Sequence, residues 1–256
     1  MALRKLRWLS AGLLTVIALI AAPARSEAGT EILIQELNSS GTAVGPQQIF
    51  NGLTSVSTAT PDFSVVQVTV NPSSLIGSLT TSVTAQTATN FSGDNYYQLQ
   101  IIVMSDGFTN PFPGGAGNVT NSAGASTAFQ DSSGNSLGNN IVTNQTQLFT
   151  SIGGTALGPA TPIATDILPV PTSPPTRITN NIIPGIPGTY AIESTITIMA
   201  QPTNGETIAA GSTLGDTAGS TVLPAAVVPA PASVLLGLAA LPVFGLRRIL
   251  RRKTVA

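Results

Sequence analysis

Cysteine and histidine are both absent from the 256 residues, and lysine occurs only at positions 5 and 253. Without cysteine no disulfide braces the fold, so stability must come from burial, for which about two hundred residues suffice. Zinc sites built from Cys and His are excluded, and so are Ser-His-Asp and Cys-His nucleophile systems. A Ser-Lys dyad fails as well, because Lys5 and Lys253 lie in the end segments. What survives is carboxylate chemistry, calcium binding or no chemistry, and no cofactor is implied.

Charge is also scarce, at 8% of residues, and its near-neutral total of ten basic and eleven acidic groups hides a partition. Four basic residues fall within 1–25 and five within 247–253, leaving only Arg177 between them. Ten acids remain with it, so the body has a net charge of −9. Such a body has no electrostatic footprint for nucleic acid and is repelled by anionic membrane surfaces.

The basic residues at the two ends flank apolar runs. Arg4, Lys5 and Arg7 precede a fourteen-residue stretch from Leu9 to Ala22, too short and wrongly flanked for a permanent span. Ser26-Glu27-Ala28 places small residues at the −3 and −1 positions for cleavage after Ala28, with Ala22-Pro23-Ala24 as a second option. Residues 1–28 therefore read as a secretory signal peptide, and an uncleaved signal anchor is the alternative.

At the other end, Val228-Pro229-Ala230-Pro231 is followed by an apolar run from Ala232 to Leu246. The basic cluster Arg247, Arg248, Arg251, Arg252 and Lys253 comes next. Fifteen helical residues cover roughly 22 Å against a hydrocarbon core of about 30 Å, so the run is short for a lasting anchor. Ile249 and Leu250, with snorkelling arginines, extend it to 232–250. Leucines surround the helix rather than marking one stripe, which argues against a buried helix of a soluble domain. The basic cluster holds the chain in the cytoplasm as a stop.

This segment resembles the PEP-CTERM sorting signal of bacterial surface and exopolysaccharide-associated proteins. Pro229, Pro231, the Leu-Leu-Gly-Leu of residues 235–238 and the Arg247-Arg248 pair all match, while Ala230 stands where the family usually has Glu. The resemblance implies an exosortase-like, transpeptidase-like processing enzyme as partner and a place on the bacterial envelope or in the extracellular matrix. A GPI signal is the competing reading, but it usually ends in its apolar tail rather than in five basic residues.

Between these ends the chain reads as all-β, an antiparallel β-sandwich or jelly-roll-like domain over 29–222, with the linker and sorting tail over 223–256. Period-two patterning gives four strands. In the first, Ser64, Val66, Val68 and Val70 are expected on one face, with Phe63, Val65, Gln67 and Thr69 on the other. Leu79, Val83 and Ala85 form a second inward row, and Tyr97, Leu99, Ile101 and Val103 a third. Tyr190, Ile192, Ile196 and Ile198 form the fourth, with Glu193, Thr195 and Thr197 outward. Weaker strands are expected at 32–37, 47–50 and 141–149. Residues 105–140 (Gly, Ser and Asn), 158–188 (eight of nineteen prolines) and 215–231 (small residues) read as loops or linker.

The phrases Gln100 to Thr109 and Gly188 to Ile198 loosely resemble a family of small secreted proteins carrying the same tail. There the first phrase is a strand ending in an Asp-Gly-Phe-Thr-like turn, and no enzymatic activity is implied.

Candidate chemistry is thin. Asp131 to Asn135 has oxygens at alternating positions, as calcium loops do, but lacks the carboxylate density of such loops and also reads as an Asx turn. Asp94 and Asp106 flank one strand, yet nothing selects two of the ten acids for glycosidic work. Tyr96, Tyr97 and Phe108 are candidates for stacking on sugar rings. Triplets at Asn38, Asn90, Asn118 and Asn144 fit the glycosylation pattern by chance in so Asn- and Thr-rich a chain. The expectation is a non-enzymatic surface or biofilm-matrix protein. Its rival is a displayed carbohydrate-binding or carbohydrate-processing domain with extracellular polysaccharide as partner.

Overall fold

The computed structural model describes residues 29–73, 77–92, 97–110, 113–136, 140–168, 179–200, 202 and 207–224. The expected signal peptide with Ala28, the expected sorting motif at Pro229, Ala230 and Pro231, the expected basic stop, and Asp94 and Tyr96 lie outside the described residues.

Among the described residues fourteen strands follow one another: β1 (Thr30–Leu37), β2 (Ala43–Asn51), β3 (Ser55–Thr58), β4 (Phe63–Ser73), β5 (Ser78–Thr87), β6 (Phe91–Ser92) and β7 (Tyr97–Thr109) come first. They are followed by β8 (Gly117–Thr127), β9 (Asn140–Phe149), β10 (Ala164–Leu168), β11 (Thr179–Ile183), β12 (Thr189–Ala200), β13 (Thr207–Ile208) and β14 (Thr213–Pro224). They form two six-stranded antiparallel sheets, β10-β9-β12-β7-β1-β2 and β11-β8-β14-β5-β4-β3, with β13-β6 as a small third pair. No helix occurs among the described residues. Inward rows from both large sheets meet in one apolar cluster, so the domain is a β-sandwich.

The two phrases singled out in the sequence lie side by side. β12 pairs along its length with β7, Ile196 opposite Ile101 and Ile198 opposite Leu99. These rows, with Ile32 and Ile34 of β1, are fully buried and face Val66, Val68 and Val70 of β4 and Leu79, Val83 and Ala85 of β5. The other half of the core is built differently. Along β8 and β14 the inward apolar residues Val119, Leu214 and Val222 are interrupted by the small or polar Asn121, Ala123, Asp216, Ala218 and Ser220, set against Asn144, Thr146 and Ser194 of β9 and β12.

Four expectations are corrected by this arrangement. Phe63 is buried and Ser64 exposed, because β4 carries an extra residue between Phe63 and Val65 opposite β5. Such a bulge turns Phe63 onto the face of Val66. The Asp106-Gly107 pair does not end its strand in a turn: β7 runs on to Thr109, with an added residue opposite β12 and Gly107 at φ 78°. The segment 105–140 contains β8, and 158–188 contains the edge strands β10 and β11. The small-residue stretch from 215 is no linker up to Pro224, since β14 sits between β8 and β5 at the centre of its sheet.

Edges follow the chemistry of proline. Pro46 lies in β2, an edge strand where no ladder hydrogen bond is lost. At the β4–β5 turn, Gly77 has φ 55° and the Tyr190 hydroxyl occupies the space its Cβ would need, so glycine is required twice over.

Candidate functional site

The loop after β8 uses its oxygens on itself. Asp131 Oδ1 accepts the amides of Ser133 and Asn135 at 2.8 Å each, and Oδ2 accepts Asn135 Nδ2 at 2.9 Å. Gly134, at φ 82°, donates its amide to the Asp131 carbonyl. These bonds, the Asn135 side chain first, hold the Asp131 carboxyl below its usual range. Asp131 and Asn135 are thus brought together, with an amide rather than an oxygen of Asn135 turned to the carboxylate. The arrangement is that of an Asx turn.

The aromatic candidates separate. Phe108 is fully buried and stacks on Tyr190 at a centroid distance of 5.7 Å, so it offers no ring to a sugar. Tyr97 opposes Ala200 at the start of β7. Asp106 serves the chain's own backbone: its Oδ1 accepts the Gly29 amide at 2.6 Å, while the Asp106 amide donates to the Gly29 carbonyl. Asn144, one of the chance triplets, is wholly inaccessible.

Asn144 instead centres a polar network that ties the sheets together. Its Nδ2 donates to the carbonyls of Ser122 at 3.0 Å and Gly219 at 3.3 Å, and its Oδ1 accepts the Ser194 hydroxyl at 2.8 Å. Asn121 Nδ2 donates to the Asn144 carbonyl at 2.7 Å, and Thr146 Oγ1 lies 2.6 Å from Ser220 Oγ. Two strands of the second sheet, β8 and β14, are reached from β9 through these bonds. The sequence marks Asn144 only as one of the Asn-x-Thr triplets, which says nothing of its inward place on β9.

Three acids are buried, and all were passed over in the sequence for want of a partner motif. On β10, Asp166 is 1% exposed and its Oδ2 accepts the Ala125 amide at 2.7 Å. β11 pairs with β8 only as far as Asn121, so this carboxylate serves β8 beyond the end of its neighbouring strand. On β14, Asp216 is 3% exposed and pairs across the ladder with that same Ala125. Burial, with Asp166's charge adding to it, pushes the Asp216 carboxyl up to about 7; the amides of Gly124 and Thr217 offset part of the rise without completing a hydrogen bond.

At the end of the inward row of β1, Glu36 accepts the Asp62 amide at 3.0 Å. Burial, reinforced by a hydrogen bond with the Asp62 side chain, pushes it up to about 7. Among the described residues no Lys or Arg is present to pair with any of these acids.

A pH dependence follows. Glu36 and Asp216 bind a proton more tightly in the folded chain than at their ordinary values of 4.5 and 3.8. Their contribution is therefore present in full below pH of about 4 and is lost as pH rises through about 7. Metal-free protein is expected to resist urea better at pH 5 than at pH 8, by more than about 1 kcal/mol. The double variant Glu36→Gln/Asp216→Asn should flatten that slope, as measured by urea melts across the range.

No family model matches the chain, and no curated protein matches it. Among solved structures, it is similar to the enzymatically active domain of bacteriophage CBA120 tailspike protein 4, at 12% identity and a TM-score of 0.28. That likeness covers 66% of this chain and 19% of the other, so the chain spans about a fifth of the tailspike's length. It is similar to TmCBM61, solved with β-1,4-galactotriose, at 13% identity and TM-score 0.23, over 64% of this chain and 91% of that one. A third likeness is to infectious bursal disease virus, Gx strain, at 11% and 0.26, over 79% and 57% of the two chains. At these scores the likenesses carry no argument about activity, and the functional reading rests on the chain's own residues.

Proposed function

We propose that this is a non-enzymatic, exported β-sandwich protein of the bacterial cell surface or biofilm matrix, sorted through a PEP-CTERM-like tail. The carrying observation is the order of three parts after β14: Pro229-Ala230-Pro231, the apolar run 232–246 and the basic cluster 247–253. The charge partition supports it, since basic residues are concentrated where a membrane would meet them. So does Asp106, which holds the Gly29 amide at 2.6 Å. Cleavage after Ala28 turns that amide into an ammonium already facing a carboxylate. The non-enzymatic reading is supported by the burial of the two acids pushed up to about 7: Glu36 at 1% and Asp216 at 3% exposure are out of reach of a polymeric substrate.

Replacing Arg247, Arg248, Arg251 and Arg252 with Ser is expected to remove the cytoplasmic stop and release unprocessed protein into the medium. Replacing Pro229 and Pro231 instead leaves full-length protein in the membrane, and Ala230→Glu speeds processing. Fractionation with immunoblotting reads all three. Unchanged fractionation of the arginine variant would exclude the tail as a sorting signal.

A second reading, binding of a neutral extracellular polysaccharide, is favoured by the outer face of the second sheet. Ser55, Thr69, Ser82 and Thr217 align across four strands, and Ser57, Gln67 and Thr84 form the next row, all uncharged. Binding on a glycan array that is lost on Ser82→Trp supports this reading, and an array without signal removes it.

A further inference from the structure

Asp166 on β10 and Asp216 on β14 come from opposite sheets and approach the same residue of β8, Ala125. The first is fixed by the Ala125 amide, and the second lies directly across the ladder from Ala125. Three of their four carboxylate oxygens, Asp166 Oδ1 and both of Asp216, are buried with no hydrogen-bond partner. Two like charges in such a place repel each other and lose their hydration, so they persist only if something neutralises them. No basic side chain among the described residues does so.

We propose that Asp166 and Asp216 are the anionic half of a buried site for a hard divalent cation of the calcium class. Two carboxylates supply the charge that a divalent ion matches. The open oxygens are hard donors, and no thiolate or imidazole exists in the chain to select a softer metal. Calcium completes its shell with main-chain carbonyls and water, which a cluster of two carboxylates requires. On an exported protein the ion is supplied by the medium, where extracellular modules bind calcium with dissociation constants on the order of 0.1–1 mM. The competing occupant of the same oxygens is a shared proton, and the two are separable by experiment.

The full-length chain, purified in detergent and dialysed free of metal at pH 7.5, is melted with rising calcium chloride at constant ionic strength. At about ten times the dissociation constant, calcium should raise the melting temperature by roughly 3–6 °C. Asp216→Asn, which deletes a charge but no hydrogen bond, should abolish the shift while melting no lower than metal-free wild type. Asp166→Asn keeps an oxygen for the Ala125 amide and should also lose the shift, whereas Asp131→Asn should keep it. A wild-type protein unmoved by calcium would leave the proton as occupant and overturn the proposal. So would a shift that survives Asp216→Asn, or one abolished by Asp131→Asn.

Discussion

Ile196→Asp is expected to unfold the domain, whereas Thr197→Asp, one residue further along β12, is expected to cost no more than about 0.5 kcal/mol. Ile196 has no exposed surface and sits in the ladder between Ile101 of β7 and Asn144 of β9. A carboxylate there is buried beside apolar neighbours without a cation, at a cost above about 4 kcal/mol. Thr197 points to the opposite face, between Gln100 and Thr143, where a charge stays hydrated. Thr197 is a cleaner control than Thr195, because Thr195 hydrogen-bonds Glu193, whose carboxyl burial already pushes up. Far-ultraviolet circular dichroism and urea melts separate the two outcomes. Equal damage from both would mean that the register of β12 is wrong.

Asn144→Ala carries the second-largest expected effect, a loss of about 3 kcal/mol or more. The truncation removes the donor shared by the Ser122 and Gly219 carbonyls and leaves the Ser194 hydroxyl unpaired in a dry interior. It also opens a cavity where the sheets meet through small residues. Asn144→Asp tests whether the bonds or the volume matter, since Asp keeps the size but loses the amide donor. It should be at least as damaging as Ala. A cost for Asn144→Ala below about 1 kcal/mol, read from urea melts, would show that the network adds little to the packing around it.

The halves of this core were not equally legible in the sequence. β5, β7 and β12 carry Leu79 and Val83, Leu99, Ile101 and Val103, and Ile192, Ile196 and Ile198 on their inward rows, and this alternation revealed the strands and those inward positions. β8 and β14 alternate as regularly, but their inward rows mix Val119, Leu214 and Val222 with Asn121, Ala123, Asp216, Ala218 and Ser220, and their outward rows are mostly Thr, Ser, Asn and Gly. A hydrophobicity pattern cannot separate those two faces, and their small residues imitate linker composition. What makes them strands is tertiary: Asn121 and Asn144 find partners only when the opposite sheet is in place. Ser64 was misplaced for another reason, because a bulge shifts parity by one residue and leaves no mark in composition. The acid pair was invisible because Asp166 and Asp216 are fifty residues apart, lie in opposite sheets and meet only at Ala125 of β8.

The reading of the protein as a sorted surface domain turns on its mature ends, which intact mass spectrometry of native protein from the cell surface measures directly. The account predicts a chain that begins at Gly29 and stops short of the apolar run, near Pro229-Ala230-Pro231, with the basic cluster gone. A mature surface form that ends at Ala256 would show a plain membrane anchor and contradict it.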